Sequence, residues 1–326
     1  MEPEDLREQL KNTPFEQLQP RVLQKLAEYQ PVEPGILKVV PFLQALVDFA
    51  PSPTGQHGIA VDILSCPTSL CLENLAKQYW EGLIVPIRAN GGKTPPLSDH
   101  FTQKPEDSGV SVDAWLLEPS KCDRRTMRKL VLHRENYRCS VTGRVDANSI
   151  EDSKTEIQHG AIPSTVENAH ILPFSLVHAP KGNNTSSIWQ LIKAFSGISL
   201  DELNGDYINR PENGIALDHT LYGWFADFSL CFGATLEPDT YTVHYWNHAL
   251  GWGLPSTASF VSRSGVPVPD SRYLAFHAAC AKVVRSSGMD KILNELIEDL
   301  EHRNVLSSDG SSAHLLHNAL GMIARQ

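Results

Sequence analysis

Two short apolar segments, set well apart in the chain, constrain its fold more than any other feature. The first is Val166-Glu167-Asn168-Ala169-His170-Ile171-Leu172-Pro173 and the second is Asn213-Gly214-Ile215-Ala216-Leu217. Each reads as a short strand. The second runs directly into Asp218-His219-Thr220-Leu221-Tyr222-Gly223-Trp224-Phe225, and from Asp218 to Phe228 the apolar residues Leu221, Trp224, Phe225 and Phe228 recur at helical spacing. A strand ending near a histidine, a second strand opened by an asparagine, and a helix that follows make a hairpin-and-helix unit. Positions three and four apart share a helix face, so Tyr222 falls on the side of both His219 and Asp218.

The rest of the chain separates into three stretches. Residues 1–118 read as a helical N-terminal region. Leu18, Val22, Leu23 and Leu26 predict one helix, Ile36, Val39, Val40, Leu43, Leu46 and Val47 a second with Pro41 near its start, and Leu70 to Trp80 a third. Asn90 to Ser98 reads as a loop, and its Asn90-Gly91-Gly92-Lys93-Thr94 lacks the spacing of a phosphate-binding loop. Residues 119–250 hold the paired segments, a helix predicted over Arg124–Arg138, a strand and turn over Arg138–Gly143, a polar loop over 144–165, a helix over Ser187–Phe195 and a strand over Thr240–Trp246. Residues 251–326 read as a loop from Pro255 to Pro269, helices from Ser271 to Arg303 with a Leu293, Leu296, Ile297, Leu300 stripe, and a Ser/Gly linker before a tail.

Composition bounds the function. The net charge is −10, with 41% hydrophobic and 20% charged residues. Proteins that live on nucleic acid usually present a basic face, and here the one basic run lies between Lys121 and Arg144. It holds eight basic residues against Asp123 and Glu135, so Arg124, Arg128 and Lys129 are the candidate phosphate contacts. The alternative is an ordinary solvated face. Six cysteines without a Cys-x-x-Cys pair argue against structural zinc. The acidic start and the lack of a long apolar run lead us to expect no membrane association and an intracellular chain, cytoplasmic or nuclear.

The order of these segments carries a resemblance. Tyr137-Arg138-Cys139-Ser140-Val141-Thr142-Gly143, then Glu167 to Pro173, then Asn213 to Leu217, then Phe225 resemble the HNH endonuclease family, in a branch common in fungal proteins. The resemblance spans about Arg124 to Tyr245. It implies a ββα-metal element, so the expected fold class is α+β, with that element embedded in a mainly helical protein. It also implies phosphodiester hydrolysis of nucleic acid with a divalent metal, magnesium or similar, with His170 as general base and Asn213 as the orienting residue.

The family's last metal-binding histidine would fall at Tyr222. A phenol whose ordinary pKa is about 10 is a poor ligand for magnesium at neutral pH. Glu167, Asp218 and His219 are the remaining candidate ligands. The metal site is therefore expected to be impaired, and three readings stay open. The chain is a metal-dependent nuclease. Or it is a retired nuclease fold that acts without metal on a small molecule, a cyclase or pericyclase of fungal secondary metabolism with His170 and Tyr222 as donors. Or it is a non-catalytic module that binds nucleic acid or protein.

Overall fold

The computed structural model describes residues 3–32, 35–90, 122–157, 159–173, 176, 183–203, 205–246, 253–263 and 265–302. The predictions for Gly91–Ser98 and Ser307–Ser312 lie outside them. The fold is α+β, mainly helical with small antiparallel sheets.

The chain opens with α1 (Pro3–Lys11), α2 (Phe15–Ala27), α3 (Val39–Phe49), α4 (Pro53–Ser65) and α5 (Ser69–Tyr79). A single π turn (Trp80–Ile84) then leads to α6 (Val85–Asn90). Helix α2 buries Leu18, Val22 and Leu26, as their spacing predicts, while Leu23 of the same predicted stripe is 49% exposed. Ile36 departs from the expectation: it lies ahead of α3 and is 64% exposed. Helix α4 starts on Ser52, whose hydroxyl accepts from the Gly55 N–H at 3.0 Å, with Pro53 in the first turn.

Helix α7 (Arg124–Arg134) and the short α8 (Ala147–Glu151) precede β1 (Val166–His170). Helix α9 (Asn183–Ser196) lies against α4. Gly55 is where they meet, since a Cβ there would sit 1.9 Å from the Phe195 carbonyl oxygen. Strand β2 (Gly214–Asp218) feeds α10 (His219–Ala226), followed by β3 (Leu230–Ala234), β4 (Thr240–Tyr245), β5 (Thr257–Ser259), α11 (Ser271–Ser286) and α12 (Asp290–His302). Strands β1 and β2 pair antiparallel, and β3–β4–β5 form a second antiparallel sheet. Helix α11 bridges α3 and β3. Phe276 on α11 meets Phe195 edge-on at 6.2 Å, and Phe42 meets Trp80 at 5.7 Å in the same continuous core. Leu293, Leu296, Ile297 and Leu300 on α12 are buried.

Several boundaries differ from the sequence reading. Helix α7 stops at Arg134, because Asn136 and Tyr137 turn left-handed, with φ of 54° and 56°. Arg138 to Gly143 makes one bridge, Arg138 to Val145, and a turn, so it is no full strand. The polar stretch 144–165 is anchored by α8 and by a bridge between Asp146 and Ser164. Asp218 ends β2 and caps α10 from outside. Thr257–Ser259 pairs with β4 inside the expected loop. No helix among the described residues is long and apolar enough to cross a membrane.

Candidate active site

The register of the β1–β2 hairpin decides which residues can meet. Val166 pairs with Asp218, Asn168 with Ala216 and His170 with Gly214. Side chains alternate along a strand, so these six share one face, while Glu167 and Ala169 project from the other with Leu217 and Ile215. Helix α7 covers the first face. A Cβ on Gly214 would lie 2.7 Å from both Asn168 Oδ1 and Met127 Cε, so the glycine is what lets the helix approach.

His170 closes β1, 6% exposed, with Nε2 3.2 Å from Asn209 Oδ1. An amide oxygen only accepts, so Nε2 carries the ring proton and Nδ1 is the basic nitrogen. Asn209 is 2% exposed, and its carbonyl accepts from the Cys122 thiol at 3.0 Å. Asn213 is fully buried and ties this corner together. Its Oδ1 accepts from the Leu172 N–H at 2.8 Å, and its Nδ2 donates to the carbonyls of Leu172 and Ile208, each at 3.0 Å. Its own carbonyl accepts from the Ile171 N–H at 2.9 Å. One side chain thus fixes both the segment leaving His170 and the turn that presents Asn209.

The acidic candidates are divided between the two hairpin faces. Asp218 is 2% exposed and spends both oxygens inside the protein. Oδ1 caps α10 by accepting from the Leu221 N–H at 3.1 Å, and Oδ2 accepts from the Thr142 hydroxyl at 3.0 Å. Glu167, on the opposite face, pairs with His219 Nδ1 at the exposed start of α10. Asp146 is a buried carboxylate that the sequence did not single out. It accepts from the Val166 N–H at 3.0 Å, and from the Ser149 N–H and hydroxyl at 3.1 and 2.7 Å, which anchors the start of β1.

Tyr222 is partly buried against the core. Arg124, at the start of α7, lies near enough for the two to interact electrostatically; burial pushes the Arg124 pKa down and a Tyr222 phenolate would pull it up. Arg128 donates to the Val166 carbonyl at 2.9 Å, and Lys129 is exposed. Arg134, counted in the basic run, is wholly interior. It pairs with Glu135 at 2.8 Å and donates to the carbonyls of Pro211, Pro267 and Gly214. Arg138 donates to the Gly143 carbonyl at 3.0 Å.

Residues 139–233 match the HNH endonuclease family. That HNH segment runs from the turn beneath β2, through the hairpin and α10, to β3. No curated protein and no solved structure matches the chain. The HNH family usually works with a divalent metal, but the donor set found in this HNH segment does not fit one. Asp218 is consumed as a cap, Glu167 and His219 meet on the other face, and a tyrosine stands at position 222. Among the described residues no three His, Cys, Asp or Glu side chains converge into a metal-holding group.

Asn209 and Cys122 were missed by the sequence reading. The available signal was the position of Asn209, just ahead of the second segment in Ile208-Asn209-Arg210-Pro211.

Proposed function

We propose that the HNH segment acts on nucleic acid and cleaves phosphodiester bonds with His170 as the general base. The observation that supports this is the hold on the His170 ring: Asn209 Oδ1 at Nε2 selects the tautomer whose Nδ1 accepts a proton. As a water oxygen attacks phosphorus, Nδ1 takes its proton, a step that requires the corner around His170 to open because Nδ1 is buried here. In this scheme Arg124, which feels the charge of Tyr222 at the start of α7, is assigned to the phosphate oxygens, and the Tyr222 hydroxyl to the same group. Lys129 adds charge on the outer face of α7, while Arg128 braces β1. Catalysis in this scheme rests on His170 and Arg124.

Labelled DNA and RNA incubated with the full chain, in magnesium, in manganese and in chelator, test it. Cutting should persist in chelator and fall at least about 100-fold in His170→Ala, the usual scale for losing a general base. Cutting that chelator abolishes would restore a metal site and return Glu167 and His219 to the role of ligands. An absence of cutting under every condition defeats the reading.

The burial of His170 and the net charge of −10 favour one second reading, a metal-free transformation of a small molecule by His170 and Tyr222. It requires that neither DNA nor RNA bind with the salt dependence expected of phosphate contacts.

A further inference from the structure

The corner between α4 and α5 brings two thiols together, far along the chain from the HNH segment. Cys66 is the last residue of the α4 turn, with its N–H on the Ile63 carbonyl at 3.2 Å. Cys71 lies in the first turn of α5, with its N–H on the Thr68 hydroxyl at 3.2 Å. Both side chains line one open cavity, together with Arg7, Asp62 and Asn74. Cys66 is 4% exposed and Cys71 is partly exposed. Burial, reinforced by a hydrogen bond to the Cys71 side chain that keeps the Cys66 thiol protonated, pushes that thiol up to about 12. The other four cysteines, Cys122, Cys139, Cys231 and Cys280, are all buried.

This asymmetry defines two roles. Attack on a disulfide needs a thiolate that solvent and reagent can reach, and the second thiol needs only to be close. We propose that Cys66 and Cys71 are a reversible modification site. There they form an intramolecular disulfide when the chain meets a low-molecular-weight disulfide such as glutathione disulfide. The Cys71 thiolate attacks one sulfur of the reagent, the reagent's S–S bond breaks, and one glutathione thiolate leaves. Cys66 then gives its proton to solvent, its sulfur displaces the second glutathione thiolate, and the Cys66–Cys71 bond closes. The protein loses two hydrogens and the reagent is reduced to two thiols. Cys71 is the more exposed of the two thiols at the cavity wall, and the helix corner holds the buried Cys66 beside it. The bond would fix the corner on which α1 leans through the Arg7–Asp62 ion pair.

The full chain, reduced and then exposed to glutathione disulfide, is acid-quenched, and its thiols are counted after denaturation. We expect two of the six thiols to be lost, peptide mapping to find Cys66 joined to Cys71, and dithiothreitol to restore all six. Cys71→Ser should abolish the loss. Cys66→Ser should stop the reaction at a stable glutathione adduct on Cys71. Retention of all six thiols, a persistent adduct on Cys71 in the unsubstituted chain, or a cross-link that uses any other cysteine overturns the proposal. The measurement on the unsubstituted chain decides the matter even where a variant fails to fold.

Discussion

Asn213 grips Leu172 by both of its backbone polar groups: the side-chain oxygen accepts from the Leu172 N–H at 2.8 Å while the side-chain nitrogen donates to the Leu172 carbonyl at 3.0 Å. The same nitrogen also reaches the Ile208 carbonyl. All of these groups are buried, so water cannot replace the amide when it is lost. Asn213→Ala should cost about 3 kcal/mol or more, because each buried polar group left unsatisfied costs roughly 1–3 kcal/mol. Urea unfolding followed by circular dichroism measures it. A loss below about 1 kcal/mol would mean that this corner is held by something else.

Asn209 acts on His170 without touching substrate in our scheme, so it is a positioning residue. Asn209→Ala releases the ring, and the cleavage rate should fall about 100-fold with KM nearly unchanged, because orientation is lost and binding is not. Asn209→Asp places a carboxylate against Nε2, which favours the charged imidazole and raises the His170 pKa. The acidic limb of the rate–pH profile should then move to higher pH. A purely structural role for Asn209 would lower the rate in both variants and leave that limb where it was.

His277 gives a pH test independent of any activity. It is buried in α11, stacks on the Phe225 ring at 3.7 Å and shares a hydrogen bond with the Phe225 carbonyl through Nε2. Burial holds its pKa down at about 4. The unfolded chain takes up a proton near pH 6.5, so the contribution is fully present above that value. It is lost as pH falls from about 6.5 toward 4, where the folded form titrates as well. The full difference is on the order of 3 kcal/mol. Urea midpoints at pH 8, 7, 6 and 5 should decline below pH 6.5 more steeply for the natural chain than for His277→Phe. Parallel declines would remove His277 from the acid sensitivity.

The hairpin and α10 were legible because apolar residues at strand and helix spacing fill one continuous core. The match to the HNH family over residues 139–233 was legible in the order of the quoted segments. The role of Asp218 was not, because an aspartate before a helix has the same appearance as a cap and as a ligand. Only the register, which sets Asp218 opposite Val166 and away from Glu167, separates the two. Helix α4 escaped notice since it is buried around much of its circumference, at Gly55, Ile59, Ala60, Val61, Ile63 and Leu64, and so has no single apolar stripe. Asp146 and Asn209 are polar residues in polar stretches, where no periodicity marks a buried hydrogen-bonding role. The left-handed Asn136–Tyr137 pair that ends α7 early has no glycine to announce it.

Arg134 shows how far a charge count can mislead and how to prove it. Read from the sequence it belongs to a basic run suited to phosphate, yet it has no exposed surface and binds Glu135 and three backbone carbonyls. Arg134→Met leaves Glu135, 7% exposed, without its counter-charge and strips a donor from the carbonyls of Pro211, Gly214 and Pro267. Breaking one side of a buried pair typically costs about 3–5 kcal/mol, and that is the expected loss in urea unfolding. Adding Glu135→Gln should recover part of it by removing the stranded charge, a coupling a double-mutant cycle resolves. Lys129→Ala should do the reverse: stability stays within about 0.5 kcal/mol, as for most surface changes, while the salt dependence of nucleic-acid binding becomes shallower by about one unit of slope. If Arg134→Met instead weakened binding at unchanged stability, the arginine would have to face solvent and phosphate, and the burial that organises the start of β2 would be refuted.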